Sequence, residues 1–127
     1  MDVKDKVVIV TGGGRGIGFG ISTAYAKAGA KLVITGRTEA TLLEAKKKLE
    51  AYGTSVLTVT ADGADEAAIK NVIAKTVEAY GKIDAVVNNA QASKSGKMLV
   101  DHTKEDFDLA IYSGLYATFF YMREAFP

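Results

Sequence analysis

Between Thr11 and Gly18 the chain reads Thr-Gly-Gly-Gly-Arg-Gly-Ile-Gly, behind a β-branched run and ahead of a helical pattern. Gly12, Gly16 and Gly18 stand at G-x-x-x-G-x-G spacing, and Gly14, Arg15 and Ile17 complete the loop. Gly12 permits a tight turn off a strand. Gly16 lets backbone approach a diphosphate with no Cβ in the way, and Gly18 allows the next helix to pack closely on the strand. The first N–H groups of that helix, at the positive end of its dipole, then face an anion. A flexible glycine turn is the bland alternative; the strand, loop, helix, strand context argues against it. The strict G-x-G-x-x-G pattern is absent. So is G-x-x-x-x-G-K-[ST], which disfavours a nucleoside triphosphatase.

The elements around this loop alternate two hydrophobic periods. Residues 6–11 form a short β-branched strand, and Gly16 to Ala28 a helix stopped by Gly29. Lys31 to Thr35 is a second strand. Thr38 caps a second helix, which carries Leu42, Leu43 and Leu49 and stops near Gly53. Ser55 to Thr60 is a third strand. Asp65 to Tyr80 is a third helix, with Ile69, Val72, Ile73, Thr76 and Val77 on one face and Gly81 as its stop. Ile83 to Val87 is a fourth strand, and Gln91 to Gly96 a polar loop. Thr103 and Asp106 at capping-box spacing open a last helix running towards Phe126.

Successive βα units predict an α/β fold: a Rossmann-like, doubly wound parallel sheet in one domain over residues 1–127. Right-handed crossovers give the strand order 3-2-1-4. Ligands in such sheets bind at the switch point, beyond the carboxyl ends of the strands. The expected site therefore gathers Thr11–Gly18, Gly36-Arg37, Ala61-Asp62 and Asn88–Gln91, each directly after a strand.

Thr11-Gly-Gly-Gly-Arg-Gly-Ile-Gly18 together with Asn88-Asn89-Ala90 resembles the short-chain dehydrogenase/reductase family, which shows T-G-x-x-x-G-I-G after strand 1 and N-N-A-G after strand 4. The resemblance covers nearly the whole chain. It implies that Asp62 contacts adenine, and that Asn88, Asn89 and Ala90 support the sheet and line the cofactor. Read alone, Asp62 would be a helix-capping residue and the asparagines turn formers. Where strand 2 supplies an acid to the ribose hydroxyls, NAD is preferred. Here Gly36-Arg37 stands in that place, with no acid before Glu39. A guanidinium can grip a 2′-phosphate with two hydrogen bonds. Arg15 resembles the basic loop residue of NADP-preferring members. NADP(H) is accordingly favoured over NAD(H).

The family's hydride transfer uses Tyr-x-x-x-Lys, with a serine after strand 5 and an asparagine on the preceding helix. None of the six tyrosines, Tyr25, Tyr52, Tyr80, Tyr112, Tyr116 and Tyr121, has a lysine four residues later. No catalytic residue is therefore assigned. Two departures accompany this. The family's N-N-A-G becomes Asn88-Asn89-Ala90-Gln91, and its helix pattern N-L-x-G-x-F becomes Gly114-Leu115-Tyr116-Ala117-Thr118-Phe119. Gly114 costs a helix about 1 kcal/mol relative to alanine, or marks a kink. The expected function is the NADP(H)-binding part of a short-chain oxidoreductase acting on a carbonyl/alcohol substrate, inactive as this chain alone. The alternatives are a non-catalytic nucleotide-binding or interaction module derived from such an enzyme, and a fold remnant without ligand.

Composition narrows the remaining classes. At 127 residues, 48% hydrophobic and 24% charged, with formal charge +1, the chain suits a soluble domain and gives no reason to expect nucleic acid or an anionic membrane. Absence of cysteine excludes disulfides and thiolate metal sites, and a lone histidine, His102, excludes a histidine metal cluster. His102 is read as an exposed residue before a helix cap. The mixed charges of the N-terminus and the short apolar run behind it do not fit a signal peptide, so a cytoplasmic location is the expectation. Asp62 after strand 3 would suit a phosphoacceptor of the receiver type, but such sites also need acids after strand 1, where Thr11-Gly12 stands.

The sequence ends before a fifth strand, which is expected to leave strand 4 as an edge and its outer face bare. Two or three apolar side chains left uncovered forgo roughly 1.5–3 kcal/mol each. That loss is comparable with a domain's whole stability of about 5–15 kcal/mol. Self-association, pairing with a C-terminal half, or a rearranged last helix is expected in consequence. The aromatic series Tyr112, Tyr116, Phe119, Phe120 is read as a packing face and the candidate interface.

Overall fold

β1, Val7–Thr11, is buried at every residue and forms the middle of a four-stranded parallel sheet in the order β3-β2-β1-β4. β2 is Lys31–Gly36, β3 Val56–Thr60 and β4 Ala85–Val87. The computed structural model describes residues 2–92 and 96–126. Val8 pairs with Leu32 on one side and with Ala85 on the other, so β1 is hydrogen-bonded along both edges. That explains its continuous apolar run: a central parallel strand has helices on both faces and no wet side.

Alternation along the strands sorts the core into two layers. Val8, Val10, Leu32 and Ile34 face α1 (Gly16–Lys27) and α2 (Glu39–Glu50), where Ala26, Leu42, Ala45 and Leu49 are buried. Ile9, Val33 and Val59 face the other way. They meet Ile69 and Val72 of α3 (Glu66–Tyr80), and Ala117 and Tyr121 of α5 (Ala117–Ala125). Arg123 of α5 also pairs with Glu66 of α3.

The last helical stretch is not uniform. α4, Lys104–Ala110, is followed by a π-helical turn at Ile111–Tyr116 and then by α5. Gly114 lies in that turn, so the expected kink takes the form of a locally widened helix. α4 opens with the capping box read from the sequence: the Thr103 hydroxyl accepts the Asp106 N–H, and the Asp106 carboxylate accepts the Thr103 N–H, both at 3.1 Å. The stretch packs against the sheet and α3 through the buried Ala117 and Tyr121.

Three expectations need correcting. Val77, assigned to the buried face of α3, is 47% exposed, because the helix turns it past the stripe formed by Ile69, Val72 and Thr76. Thr38 takes the N-cap position of α2 but its side chain makes no capping hydrogen bond. The fourth strand begins at Ala85 instead of Ile83, since the Asp84 carboxylate accepts the Val7 N–H at 2.8 Å and replaces a ladder bond there. The aromatic series is mostly outside the core. Tyr112 and Tyr116 stack on each other with centroids 4.8 Å apart, Phe119 is exposed, and only Phe120 leans on the core. Of the polar loop Gln91–Gly96, residues 93–95 lie outside the described residues, as does the chain end at Pro127. No helix among the described residues is long and apolar enough to cross a membrane.

Candidate functional site

Beyond the carboxyl end of the sheet, where β1 and β4 send their chains to opposite faces, lies a cleft of about 720 Å³. Gly12, Gly14, Arg15, Gly16, Ile17, Gly18, Arg37, Asp62, Asn89 and Ala90 all line it. The switch point of the strand order thus brings together four loops that the sequence holds far apart.

The glycine loop is shaped by two different constraints. Gly12 and Gly16 have φ of +65° and +57°, backbone that a side chain disfavours. At Gly16 a Cβ would meet nothing within 4 Å among the described residues, so its bareness keeps space open on the cleft. Gly18 is bare because of contact: a Cβ there would fall 2.0 Å from the Gly12 carbonyl oxygen and 2.6 Å from Asn89 Nδ2. Gly13, which the sequence reading passed over, is equally confined, with the Ser22 hydroxyl and an Ile34 methyl each 2.8 Å from where its Cβ would be. The first turn of α1 has no side-chain cap and no acidic residue. Its N–H groups and dipole are therefore available to an anion.

Hydroxyls hold this loop. Ser22 is buried, 2.9 Å from the Gly18 carbonyl and 3.1 Å from that of Gly13, and shares its proton between them. Thr11 accepts the N–H groups of Asn89 and Ala90 at 3.0 Å each and donates to the Val87 carbonyl at 3.3 Å. The Asn89 amide in turn donates to the Gly12 carbonyl at 3.4 Å. The β1 and β4 loops are thereby joined into one wall. Neither hydroxyl was singled out from the sequence; the only local signal was a threonine closing a strand directly before a glycine.

Arg15 and Arg37 are exposed at the same cleft, and neither has a carboxylate within 4 Å among the described residues. Asp62 is exposed and its carboxylate accepts the Ala64 N–H at 2.9 Å, while the N-cap of α3 is Asp65, not Asp62. Glu105 and Asp108 of α4 also line the cleft, the latter paired with Lys104 at 2.6 Å. Tyr121 closes the floor, its hydroxyl bonded to the Thr35 side chain; burial pushes its phenol pKa up, so it stays neutral. Among the described residues no group of three or more His, Cys, Asp or Glu side chains could hold a metal ion.

Comparison with known proteins agrees with this geometry. A family model described as short chain dehydrogenase matches residues 6–127. A 12α-hydroxysteroid dehydrogenase of a Clostridium species is 54% identical over 129 aligned residues, covering 96% of this chain and 50% of that protein. A sepiapterin reductase of Chlorobaculum tepidum is 36% identical, covering 94% and 52%. Among solved structures, L-sorbose reductase of Gluconobacter frateurii, complexed with NADPH and L-sorbose, superposes with a TM-score of 0.92 at 29% identity, covering 100% of this chain and 49% of that one. A short chain dehydrogenase of Burkholderia cenocepacia in complex with NADP gives 0.89 at 32% identity, covering 98% and 51%. The chain spans about half the length of the relatives it matches.

Proposed function

The chain belongs to the short-chain dehydrogenase family, with that family's nucleotide-binding fold, and from this premise we propose that its cleft binds NADP(H) in preference to NAD(H). The single observation behind the preference is the pairing of Arg15 and Arg37, two cations without carboxylate partners among the described residues, at the cleft that also receives the bare start of α1. A 2′-phosphate between two guanidinium groups gains charge-assisted hydrogen bonds that a ribose hydroxyl does not. The open space at Gly16, where a Cβ would meet no atom of the described residues within 4 Å, fits the approach of a diphosphate to backbone.

In this reading Gly12, Gly14, Gly16, Ile17 and Gly18 surround the diphosphate and Asp62 meets the adenine. Asn89 and Ala90 lie along the second ribose. When bound, the nicotinamide supplies hydride exchange with a carbonyl or alcohol. The residues at hand position the cofactor; they contain no Tyr-x-x-x-Lys to move the accompanying proton. We propose accordingly that residues 1–127 act as one nucleotide-binding domain and do not turn over substrate unaided. NADP complexes of similar structures support the cofactor assignment.

A second reading, a nucleotide-binding module without catalysis, is favoured by Gly114, which stands where the family pattern has an asparagine. Calorimetric titration with NADPH and NADH tests the binding claim common to both. Tighter binding of NADPH is expected; equal affinity, or none, would remove the reading.

A further inference from the structure

The sheet order places β2 and β4 on either side of the glycine loop that follows β1. Arg37 follows β2, and Gln91 lies four residues past the end of β4, so the two face the cleft from opposite sides of that loop. A dinucleotide with its diphosphate on the loop and its phosphorylated ribose at Arg15 and Arg37 sends its other half towards Gln91.

Gln91 is held there from the helix side. A Cβ built on Gly114 would sit 3.6 Å from Gln91 Cγ and 4.0 Å from Cδ, with no other atom of the described residues within 4 Å beyond its chain neighbours and the helix's own backbone. The stem of Gln91 therefore borders the bare backbone of the π-helical turn. One residue on, the Ser113 hydroxyl accepts the Ala92 N–H at 2.8 Å and donates to the Ala92 carbonyl at 3.0 Å. This reciprocal pair pins the backbone beside Gln91 to the same turn. The residue itself remains exposed on the cleft wall, with a carboxamide that offers two donors and one acceptor oxygen. A long side chain at 114 would compete for the place its stem occupies.

We infer that Gln91 is a binding residue for the nicotinamide-bearing half of the dinucleotide, and that Gly114 is the positioning residue that leaves room for its side chain. This rests on the NADP(H) reading above. The two glycine–side chain exchanges relative to the family pattern are then one feature: a side chain gained on the loop occupies space given up on the helix.

The test compares two ligands, NADPH and adenosine 2′,5′-bisphosphate, which lacks the nicotinamide half. Gln91→Ala is expected to weaken NADPH about three- to tenfold, the worth of one hydrogen bond, and to leave the bisphosphate unchanged. Gly114→Leu should produce the same split, and should add nothing in the Gln91→Ala background. Gly114→Ala, whose methyl group fits at 3.6 Å, should leave both affinities intact. If Gly114→Leu does not fold, the Gln91→Ala comparison alone decides the case. No effect of Gln91→Ala on NADPH, or an equal loss for both ligands, would overturn the inference. Failure of the unaltered chain to bind the bisphosphate would instead overturn the NADP(H) reading.

Discussion

The Thr11 hydroxyl oxygen accepts the Asn89 N–H at 3.0 Å across 78 residues of sequence. It does the same for Ala90, so one oxygen sets the spacing of the two loops that wall the cleft. Thr11→Val keeps the shape and removes the acceptor, leaving the partly buried Ala90 N–H unpaired and the Asn89 N–H with only the Val87 carbonyl at 3.1 Å. A loss of about 1–3 kcal/mol is expected in urea unfolding, together with weaker NADPH binding. Thr11→Ser, which restores the oxygen, should recover most of both.

Gly16 and Gly18 should respond differently to the same methyl group. At Gly18 the added Cβ collides with the Gly12 carbonyl at 2.0 Å, and overpacking of that kind costs about 1–3 kcal/mol or more. At Gly16 nothing is struck, and the cost is the positive φ, about 1–2 kcal/mol. Thermal unfolding should therefore rank Gly18→Ala below Gly16→Ala, while both reduce affinity for NADPH.

Charge reversal at Arg37 should exchange the cofactors. Arg37→Asp is expected to weaken NADPH about ten- to a hundredfold, the worth of hydrogen bonds to a charged group, with NADH gaining relative to it. Because Arg37 is exposed, the unaltered chain's NADPH affinity should also fall as salt rises. A variant that keeps its preference for NADPH would shift the assignment to Arg15.

Acid sensitivity should trace to Asp106. The Lys97 ammonium at 2.7 Å and the Thr103 N–H hold its carboxyl down from 3.8 to about 2. A depressed carboxylate contributes stability that is complete above its ordinary value and is lost as the pH falls through about 2. Urea midpoints measured between pH 5 and pH 2 should fall more steeply for the unaltered chain than for Asp106→Asn.

Tyr116, Phe119 and Met122 are exposed on the last helical stretch, alongside Tyr112 and Leu115. A patch of this kind favours association. Size-exclusion chromatography with light scattering is expected to give a mass above the 13.4 kDa of one chain, and Phe119→Asp to reduce it. A monodisperse monomer at high concentration would rule this out.

Much of this molecule is written in local pattern. The β-branched run Val7–Val10 could only be a strand buried on both faces, and the glycines at 12, 16 and 18 mark a turn, a bare helix start and a close approach whatever the rest of the chain does. Thr103 and Asp106 disclosed their reciprocal cap by spacing alone. The strand order followed because right-handed crossovers leave few arrangements. These features are local, or are restricted by chain geometry, and so they are carried by residue type and spacing.

Other features depend on which atoms the fold brings within 3–4 Å, and for these the sequence had no voice. Thr11 became the link between two loops only when β4 paired with β1. Gly13 had to be bare because Ser22 and Ile34 converge on it, and Asp84 shortened a strand by taking the Val7 N–H for itself. Gly114 read as a helix weakness until the π-helical turn set it against Gln91. Hydrogen bonds and van der Waals contacts act over a few ångströms of space. Residues separated by between 9 and 78 positions acquire such relationships only after the backbone has closed, and the tertiary structure alone decides them.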